Sequence, residues 1–378
     1  MIIRRFKRLI ASLFGQEGDI LNSIFQIVYL LSFFLFMFYG QKIQTLTMLR
    51  EVGNAVRKLK KLKDDSRRLA IDTVTELGKK DGDPTPRVDH LLEYFTVMPK
   101  NLDPLGFVPK LEHLIDVRDL RFKNEIKIIA PEADKTQTSN IEGVLEVALG
   151  LNSIYKIVNH FYLLGKKTMN LYVIMQVQMQ LSMIVRTAEA YSLAGKAFAQ
   201  GQPIGDGAGA LVAARLMYGH ENKEVSKNIL ASQIEIEGRD IFVIKATGPG
   251  ANIGKYGVAI RQIIEENDGK VAMVIMVDAA GKLEGEISGS TAEGTGSVIG
   301  GLGVDAFIIE EVSSKYQIPV NGVAIKQSME ESVAPMTKAI FDGVSVALAR
   351  VKRIIHEETK EGDLVILVGV GNTVGIGQ

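Results

Sequence analysis

The feature that most constrains this chain is an uncharged run of twenty residues near its start. Residues 20–39 read ILNSIFQIVYLLSFFLFMFY and are rich in Phe, Leu and Ile. At about 1.5 Å per helical residue, such a run spans a hydrocarbon core of about 30 Å. A signal peptide has a shorter apolar stretch and a small-residue cleavage site, which FMFYGQK does not provide. The run therefore predicts a retained, single-pass transmembrane helix in the lipid bilayer of the cell membrane.

Basic residues flank this run on both sides. Four lie in the N-terminal segment 1–19 and four more between residues 42 and 58, so the two flanks balance. The basic run KLKKLK at 58–63 breaks the tie, because positive charge favours the cytoplasmic side. The sequence therefore predicts that the bulk of the chain, C-terminal to the helix, is cytoplasmic.

Two helical regions are predicted after the membrane segment. In residues 40–87, the juxtamembrane region, Leu49, Val52, Val56 and Leu59 recur at three- and four-residue spacing, which is typical of an amphipathic helix. We expect this helix to end at Gly78, before the linker KKDGDPTPR. Its basic face suits either anionic lipid headgroups or the solvated side of a bundle helix.

Residues 88–200 predict a mainly helical domain with two long helices joined near Gly165. The second of these helices carries Gln176, Gln178 and Gln180, and burying three amides in lipid is unfavourable. A bundle or interface helix is the better interpretation, and a helix of this kind is also compatible with homo-oligomers formed through the helical region.

Composition excludes several classes of site. The chain has no cysteine, so disulfides, thiolate zinc sites and a cysteine nucleophile are excluded. Its 44 basic residues balance 44 acidic ones, which gives no general attraction to nucleic acid. The basic run is short and lacks interleaved aromatic residues, so no nucleic-acid partner is predicted.

Glycine concentrates in the C-terminal part, residues 201–378. Five segments there are predicted to be strands: QIEIEGRDIFVIKA, VAMVIMVDA, AFIIE, GVAIK and DLVILVGV. The segments between them, including STAEGTGSVIGGL, are predicted to be helices or helix starts. This alternation predicts an α/β domain with a largely parallel sheet. Ligands of such sheets bind beyond the carboxyl ends of the strands.

The stretch KATGPGANIGKYG, residues 245–257, lies at one such strand end. Backbone N–H groups exposed by its glycines, a helix N-terminus and a lysine together suit a phosphate. The predicted ligand-binding residues are Gly248, Gly250, Asn252, Gly254 and Lys255. The segment departs from the Walker pattern at Pro249 and Tyr256. A glycine-rich turn without a ligand remains the alternative.

Acidic residues add a predicted metal site. Asp278 ends an apolar strand, a position from which a carboxylate can hold Mg²⁺ directly or through water. Lys282 and Glu293 follow in a glycine-rich segment, and Asp206 lies in the glycine cluster PIGDGAG. We include these three in the predicted site, although loop residues facing solvent, or a helix cap in the case of Asp206, are the alternatives.

Several segments follow the N-terminal anchor in a characteristic order: KLEHLIDVRD, MQVQMQL, PIGDGAG, GPGANIGK, DAAGKLEGE, STAEGTG and GVGNTVGIGQ. With these segments, the chain as a whole resembles an archaeal family of membrane-anchored proteins of unknown function. The resemblance implies an archaeal source and membrane anchoring, and it implies no activity.

Two functions follow from these features. The first is a membrane-anchored cytosolic sensor or scaffold that binds a nucleotide or another phosphorylated, anionic ligand. The second is a Mg²⁺-dependent enzyme acting on such a ligand, with Lys255 stabilising phosphate charge and Asp278 holding the metal. No Ser-His-Asp order and no histidine beside a nucleophile indicates catalysis, so binding is favoured.

Overall fold

The computed structural model describes residues 18–79, 82–99 and 104–378. Its first element is a long helix, α1 (Gly18–Gly78), which bends by 50° between Met37 and Tyr39. The predicted basic N-terminal segment lies outside the described residues except for positions 18 and 19. The predicted helix end at Gly78 is confirmed, and the predicted apolar face is buried at Leu49, Val52, Val56 and Leu59.

The N-terminal part of α1, before the bend, is rich in apolar residues. Within the described residues, no single helix is long and apolar enough to cross a membrane. The two parts of α1, Ile24–Met37 and Tyr39–Gly78, together satisfy the length and composition requirement as a bent pair. Every residue from Ile24 to Met37 is exposed.

Four further helices follow α1. They are α2 (Thr85–Leu92), α3 (Pro104–Ile129), α4 (Lys135–Thr168) and α5 (Leu171–Gln200). The predicted junction near Gly165 is wrong by a few residues, because α4 continues to Thr168. Gly165 lies inside α4, where a Cβ would come within 1.8 Å of Ile174 Cδ1 of α5, so the missing side chain lets the two helices approach.

The chain divides into two compact units. One comprises Met1–Lys58 and Lys156–Met183, and the other comprises Leu59–Tyr155 and Ile184–Gln378. The second unit contains α3 and the whole sheet, and the site discussed below lies within it.

The C-terminal part is a seven-stranded sheet between two layers of helices. A 3₁₀ turn (Gly205–Gly207) leads into α6 (Ala208–Met217), and α7 (Tyr256–Glu266), α8 (Val304–Tyr316), α9 (Met329–Val333) and α10 (Lys338–Glu358) follow among the strands. The strands are β1 (Lys223–Ser226), β2 (Ile229–Ile236), β3 (Arg239–Ala246), β4 (Met273–Gly281), β5 (Thr291–Thr295), β6 (Val320–Gln327) and β7 (Leu364–Gly369).

Two apolar layers hold the sheet between its helices. The face with Val243, Ile275 and Leu367 packs against α6 and α10. The opposite face, with Ile244 and Met276, packs against α7 and α8. Covering both faces explains why the central strands are continuous apolar runs.

The sheet is mixed, so the prediction of a largely parallel sheet is wrong. Its order is β1-β2-β3-β7-β4-β6-β5. The central strands β3, β7, β4 and β6 are parallel, but β1, β2 and β5 pair antiparallel at the two ends. The physical reason is a hairpin inside QIEIEGRDIFVIKA. Glu237 and Gly238 both have positive φ there, and the resulting two-residue turn folds β2 back onto β3.

Two other segments differ from the sequence predictions. AFIIE was predicted to be a strand and is part of α8, because a short apolar run does not distinguish a strand from a buried helix. The start of STAEGTGSVIGGL was predicted to be helical and forms β5, which pairs with the edge of β6.

Candidate functional site

The predicted ligand residues cluster partly at the carboxyl edge of the four parallel strands. The loop 248–254, referred to below as the GPGANIG loop, follows β3. Asp278 lies near the end of β4, and Asp206 lies in the 3₁₀ turn before α6. The C-terminal segment 370–378 follows β7 along the same edge.

Packing accounts for the glycines of the GPGANIG loop. A Cβ on Gly248 would lie 1.8 Å from the carbonyl oxygen of Ile376, and one on Gly250 would lie 3.1 Å from Ser139 Cβ. Gly254 has a φ of +74°, a conformation that residues with a side chain rarely adopt. Gly248 and Gly254 are therefore required by a neighbour or by backbone conformation, and Gly250 is closely packed, without a ligand.

Polar contacts also hold this loop from within the protein. The buried hydroxyl of Thr373 lies 2.8 Å from the carbonyl oxygens of both Thr247 and Gly250. The Asn252 side chain donates to Thr247 O over 2.9 Å and accepts from the Ser139 hydroxyl over 3.2 Å. Asn252 thus has a structural role in the loop.

Lys255 is paired with carboxylates of α3. Its Nζ lies 2.8 Å from Asp116 and 3.2 Å from Glu112. Partial burial lowers the pKa of Lys255, but the hydrogen bonds to Asp116 and Glu112 outweigh this effect and raise the pKa above its ordinary value. The lysine charge is therefore neutralised within the protein, and the predicted contact with an anion stays a prediction.

The pocket beside Lys255 is acidic. This cavity of about 290 Å³, the α3–α4 pocket, is bordered by residues 251–255, α3 and α4. Its lining carries six carboxylates, Glu112, Asp116, Asp119, Glu142, Glu146 and Asp305, against four basic groups, Arg118, Lys123, Lys227 and Lys255. Burial raises the pKa of Glu142 to about 7. An anionic ligand is disfavoured in such surroundings.

Asp278 is the most unusual carboxylate of this edge. It is 6% exposed and accepts hydrogen bonds from the N–H groups of Ala279 over 2.7 Å and Gly300 over 3.2 Å. Burial first, and the nearby charge of Asp206 second, raise the pKa of Asp278 to about 8. Buried carboxylates normally have an ionic partner, and no cationic side chain of residues 18–79, 82–99 or 104–378 pairs with this one.

Asp206 belongs to the same site. Its carboxylate accepts a hydrogen bond from the Asn372 N–H over 2.9 Å, and burial raises its pKa. Asp206 and Asp278 both line a cavity of about 420 Å³, referred to below as the carboxylate pocket. Sequence analysis named the two residues separately, and the fold brings them together.

Residues 299–303 also line the carboxylate pocket, where the Gly300 N–H contacts Asp278. Cβ atoms on Gly300, Gly301 and Gly303 would meet nothing within 4 Å. Gly303 is the N-cap of α8 and supplies no side-chain cap. The N–H groups of the first turn of α8 therefore lie beside the pocket without a capping side chain, and the positive end of the helix dipole lies with them.

Other predicted site residues lie elsewhere. Glu293 on β5 accepts hydrogen bonds from Arg350 and Arg353 of α10, which lower its pKa, beginning with the bond to Arg353. Lys282 donates to the carbonyl oxygen of Glu286 over 3.3 Å. Neither residue lines the carboxylate pocket. Sequence reasoning missed loop 299–303, although IGGLG before VDAF could have indicated a glycine-capped helix start.

Asp206 and Asp278 alone do not provide enough ligands for a metal ion held only by the protein. In the part of the chain that the structure describes, no three His, Asp or Glu side chains converge to hold a metal ion. A cation at Asp206 and Asp278 would therefore need further ligands from water or from a bound molecule.

Comparison with known proteins identifies a family. Residues 26–201 match the N-terminal domain, and residues 204–377 the C-terminal domain, of a protein family of unknown function, DUF1512. The chain belongs to this family. No curated protein and no solved structure matches it. Membership in this family brings no known activity.

Proposed function

We propose that this DUF1512 protein binds a phosphorylated small molecule together with Mg²⁺ in the carboxylate pocket. One observation carries the proposal: Asp206 and Asp278 line the same cavity at the carboxyl edge, and neither has a cationic partner among the described residues. Buried carboxylates that lack a cation are stabilised when one binds.

The donor set suits Mg²⁺. This ion is commonly held by one or two carboxylates together with phosphate oxygens of the ligand and water, rather than by a protein cage. Asp206 and Asp278 would supply the two carboxylates. Bound Mg²⁺ would provide positive charge for phosphate oxygens, which two carboxylates alone would repel.

Loop 299–303 and the start of α8 would hold the phosphate itself. Backbone N–H groups at a helix N-terminus favour an anion, and glycines allow close backbone approach. The open space over Gly300, Gly301 and Gly303 supports this assignment. The proposed anion site is thus next to Asp278, rather than in the GPGANIG loop.

Binding is favoured over catalysis, and the position of α3 would respond to the bound ligand. The helix forms one wall of the pocket and packs on α8 through Leu111 and Ile308. A ligand that contacts both walls would stabilise one position of α3. Catalysis is the second candidate, because a carboxyl group with a pKa near 8 suits general acid–base chemistry at neutral pH.

Calorimetric titration tests the proposal. We expect pyrophosphate or ADP to bind the full-length protein in the presence of Mg²⁺ and to bind weakly without it. Asp278→Asn and Asp206→Asn should each remove the Mg²⁺-dependent part. Glu284→Gln is the matched control, because Glu284 is an exposed carboxylate in the loop after β4 and lies outside the pocket lining. Equal binding by wild type and Asp278→Asn would contradict the proposal.

Membrane anchoring is the second part of the proposed function. It is supported by the exposed apolar surface of α1 from Ile24 to Met37, where Phe25 is 69% and Phe36 is 75% exposed. Such a surface is covered by lipid or by another protein. The exposed Lys60 and Lys61 support a cytoplasmic position for the following residues.

Two measurements test anchoring. Full-length protein should remain with the membrane pellet after a carbonate wash, and protease added to intact cells should leave the residues after α1 uncut. Extraction by carbonate would exclude an inserted helix, and cleavage in intact cells would reverse the orientation.

A further inference from the structure

The mouth of the carboxylate pocket is built from exposed aliphatic side chains. Met98, Ile253 and Leu302 come from three separate segments, line the same pocket and remain 49%, 62% and 59% exposed. Behind them, α3 contributes Leu111, Leu114 and Ile115 to the wall. Aliphatic side chains that converge on one opening without covering one another favour an aliphatic group in the bound molecule.

The same lining is poorly suited to a nucleobase. No aromatic ring is found among its described residues, so a base has no stacking partner there. Two of its hydrogen-bonding side chains are already engaged. Arg118 pairs with Glu146, and Asp305 accepts from the N–H of Gly257 over 2.7 Å. With Asp206 and Asp278 assigned to the cation, Thr96 is the one polar side chain left among the described lining residues to hydrogen-bond a base.

We infer that the ligand of the carboxylate pocket is an aliphatic phosphate or diphosphate rather than a nucleotide. This inference rests on the proposed function, since it assumes that Asp206 and Asp278 bind the phosphate through Mg²⁺. The phosphate end lies at Asp278 and loop 299–303, and the hydrocarbon end lies between Ile253, Leu302 and α3.

The size of the cavity limits the hydrocarbon. At about 420 Å³ the pocket is near the lower end of the range for small-molecule sites, roughly 300 to 1,000 Å³. A short chain fits this space, and a longer one would extend past the exposed mouth residues into solvent.

A series of diphosphates with a common head group tests the inference. The full-length protein in lipid nanodiscs would be titrated in Mg²⁺ with pyrophosphate, dimethylallyl diphosphate, geranyl diphosphate and ADP, with empty nanodiscs subtracted. Each buried CH₂ tightens binding about fourfold, so geranyl diphosphate should bind at least about tenfold more tightly than pyrophosphate. ADP should bind no more tightly than pyrophosphate.

Variants at the mouth separate chain recognition from head-group binding. Ile253→Ser and Met98→Ser should each weaken geranyl diphosphate about three- to tenfold and leave pyrophosphate unchanged. Leu283→Ser is the matched control, because Leu283 is 74% exposed and lies outside the pocket lining.

The outcomes distinguish this inference from the function on which it rests. If pyrophosphate binds and the hydrocarbon adds no affinity, or if ADP binds most tightly, the aliphatic ligand is wrong and Mg²⁺–phosphate binding stands. If no diphosphate binds, the proposed function fails and this inference fails with it.

Discussion

Two glycine-rich loops lie at the same edge of the sheet, and they differ in what surrounds their glycines. In the GPGANIG loop, a Cβ on Gly248 or Gly250 would lie 1.8 or 3.1 Å from protein atoms, and the adjacent Lys255 is paired with carboxylates. In loop 299–303, Gly300 and Gly301 face open space, and the adjacent Asp278 has no cationic partner within the described ranges. Glycine content alone therefore does not indicate a ligand, whereas glycine beside open space and a buried carboxyl group without a cationic partner does.

The first prediction adds one methyl group to each loop and compares the stability of the two variants. Gly248→Ala should lower the free energy of unfolding by about 3 kcal/mol or more, because the new Cβ collides with the backbone oxygen of Ile376. Gly300→Ala should change it by less than about 0.5 kcal/mol, since it meets no atom and its φ is not positive. Thermal unfolding of both variants measures the difference.

Ligand binding should respond in the opposite way. Gly300→Ala should weaken Mg²⁺–pyrophosphate about tenfold by blocking close approach to the loop, and folded Gly248→Ala should keep wild-type affinity. If Gly248→Ala proves as stable as wild type but loses the ligand, the roles of the two loops are reversed.

The second prediction removes the charge at Asp278. Asp278→Asn keeps the shape and should weaken Mg²⁺-dependent binding of pyrophosphate by about 1.5–3 kcal/mol, or roughly ten- to a hundredfold. Binding measured without Mg²⁺ should be unchanged or slightly tighter, because a carboxylate near the phosphate is gone. A uniform loss with and without Mg²⁺ would indicate a general disturbance of the pocket instead.

Much of the fold can be predicted from local sequence patterns. The spacing of Leu49, Val52 and Val56 predicts a buried helix face, and the apolar runs of β4, β6 and β7 predict central strands. The antiparallel pairing of β2 with β3 was not predicted, because it depends on the turn at Glu237 and Gly238, where both residues have positive φ. The apolar content of a segment does not indicate whether such a turn is present.

The candidate site can be predicted only in part. Asp206 and Asp278 stand out as acidic residues beside glycines, but their proximity results from the order of strands in the sheet. The GPGANIG loop was predicted to be the main site because its contacts, from Ser139 and Ile376, are distant in sequence. A glycine required by a remote neighbour cannot be distinguished, in sequence, from one required by a ligand.

The third prediction concerns how the free energy of unfolding depends on pH through the protonation of Asp278. The folded protein retains a proton on Asp278 up to about pH 8, whereas the unfolded chain releases it near pH 4. The unfolded state therefore binds fewer protons between these values, and this group lowers the free energy of unfolding as pH rises through that window. The Asp278→Asn variant has no titrating group at this position, so its free energy of unfolding lacks this pH dependence.

We therefore expect Asp278→Asn to match wild type near pH 4–5 and to be more stable above pH 8. The gain should be about 5 kcal/mol, because a folded-state pKa about four pH units above the unfolded-state value costs about 1.4 kcal/mol per unit once Asp278 is ionised. Unfolding curves from pH 5 to 9 without Mg²⁺ measure it. Asp206→Asn should move the wild-type transition to lower pH, since the charge of Asp206 raises the pKa of Asp278. A constant difference at all pH values would mean that Asp278 is ionised throughout.

The last prediction has the smallest expected effect and tests the GPGANIG side of the comparison. Lys255 pairs with Asp116 and Glu112 at a partly exposed position, where ion pairs contribute about 0.2–1 kcal/mol. Lys255→Ala should therefore destabilise the protein by up to about 1 kcal/mol and leave Mg²⁺–pyrophosphate affinity within about twofold. A double-mutant cycle with Asp116→Asn should give a coupling energy of about 0.5 kcal/mol, which falls as salt is added. A tenfold loss of phosphate binding in Lys255→Ala, with unchanged thermal stability, would indicate that the anion binds at the GPGANIG loop. Loop 299–303 would then be only the start of a helix.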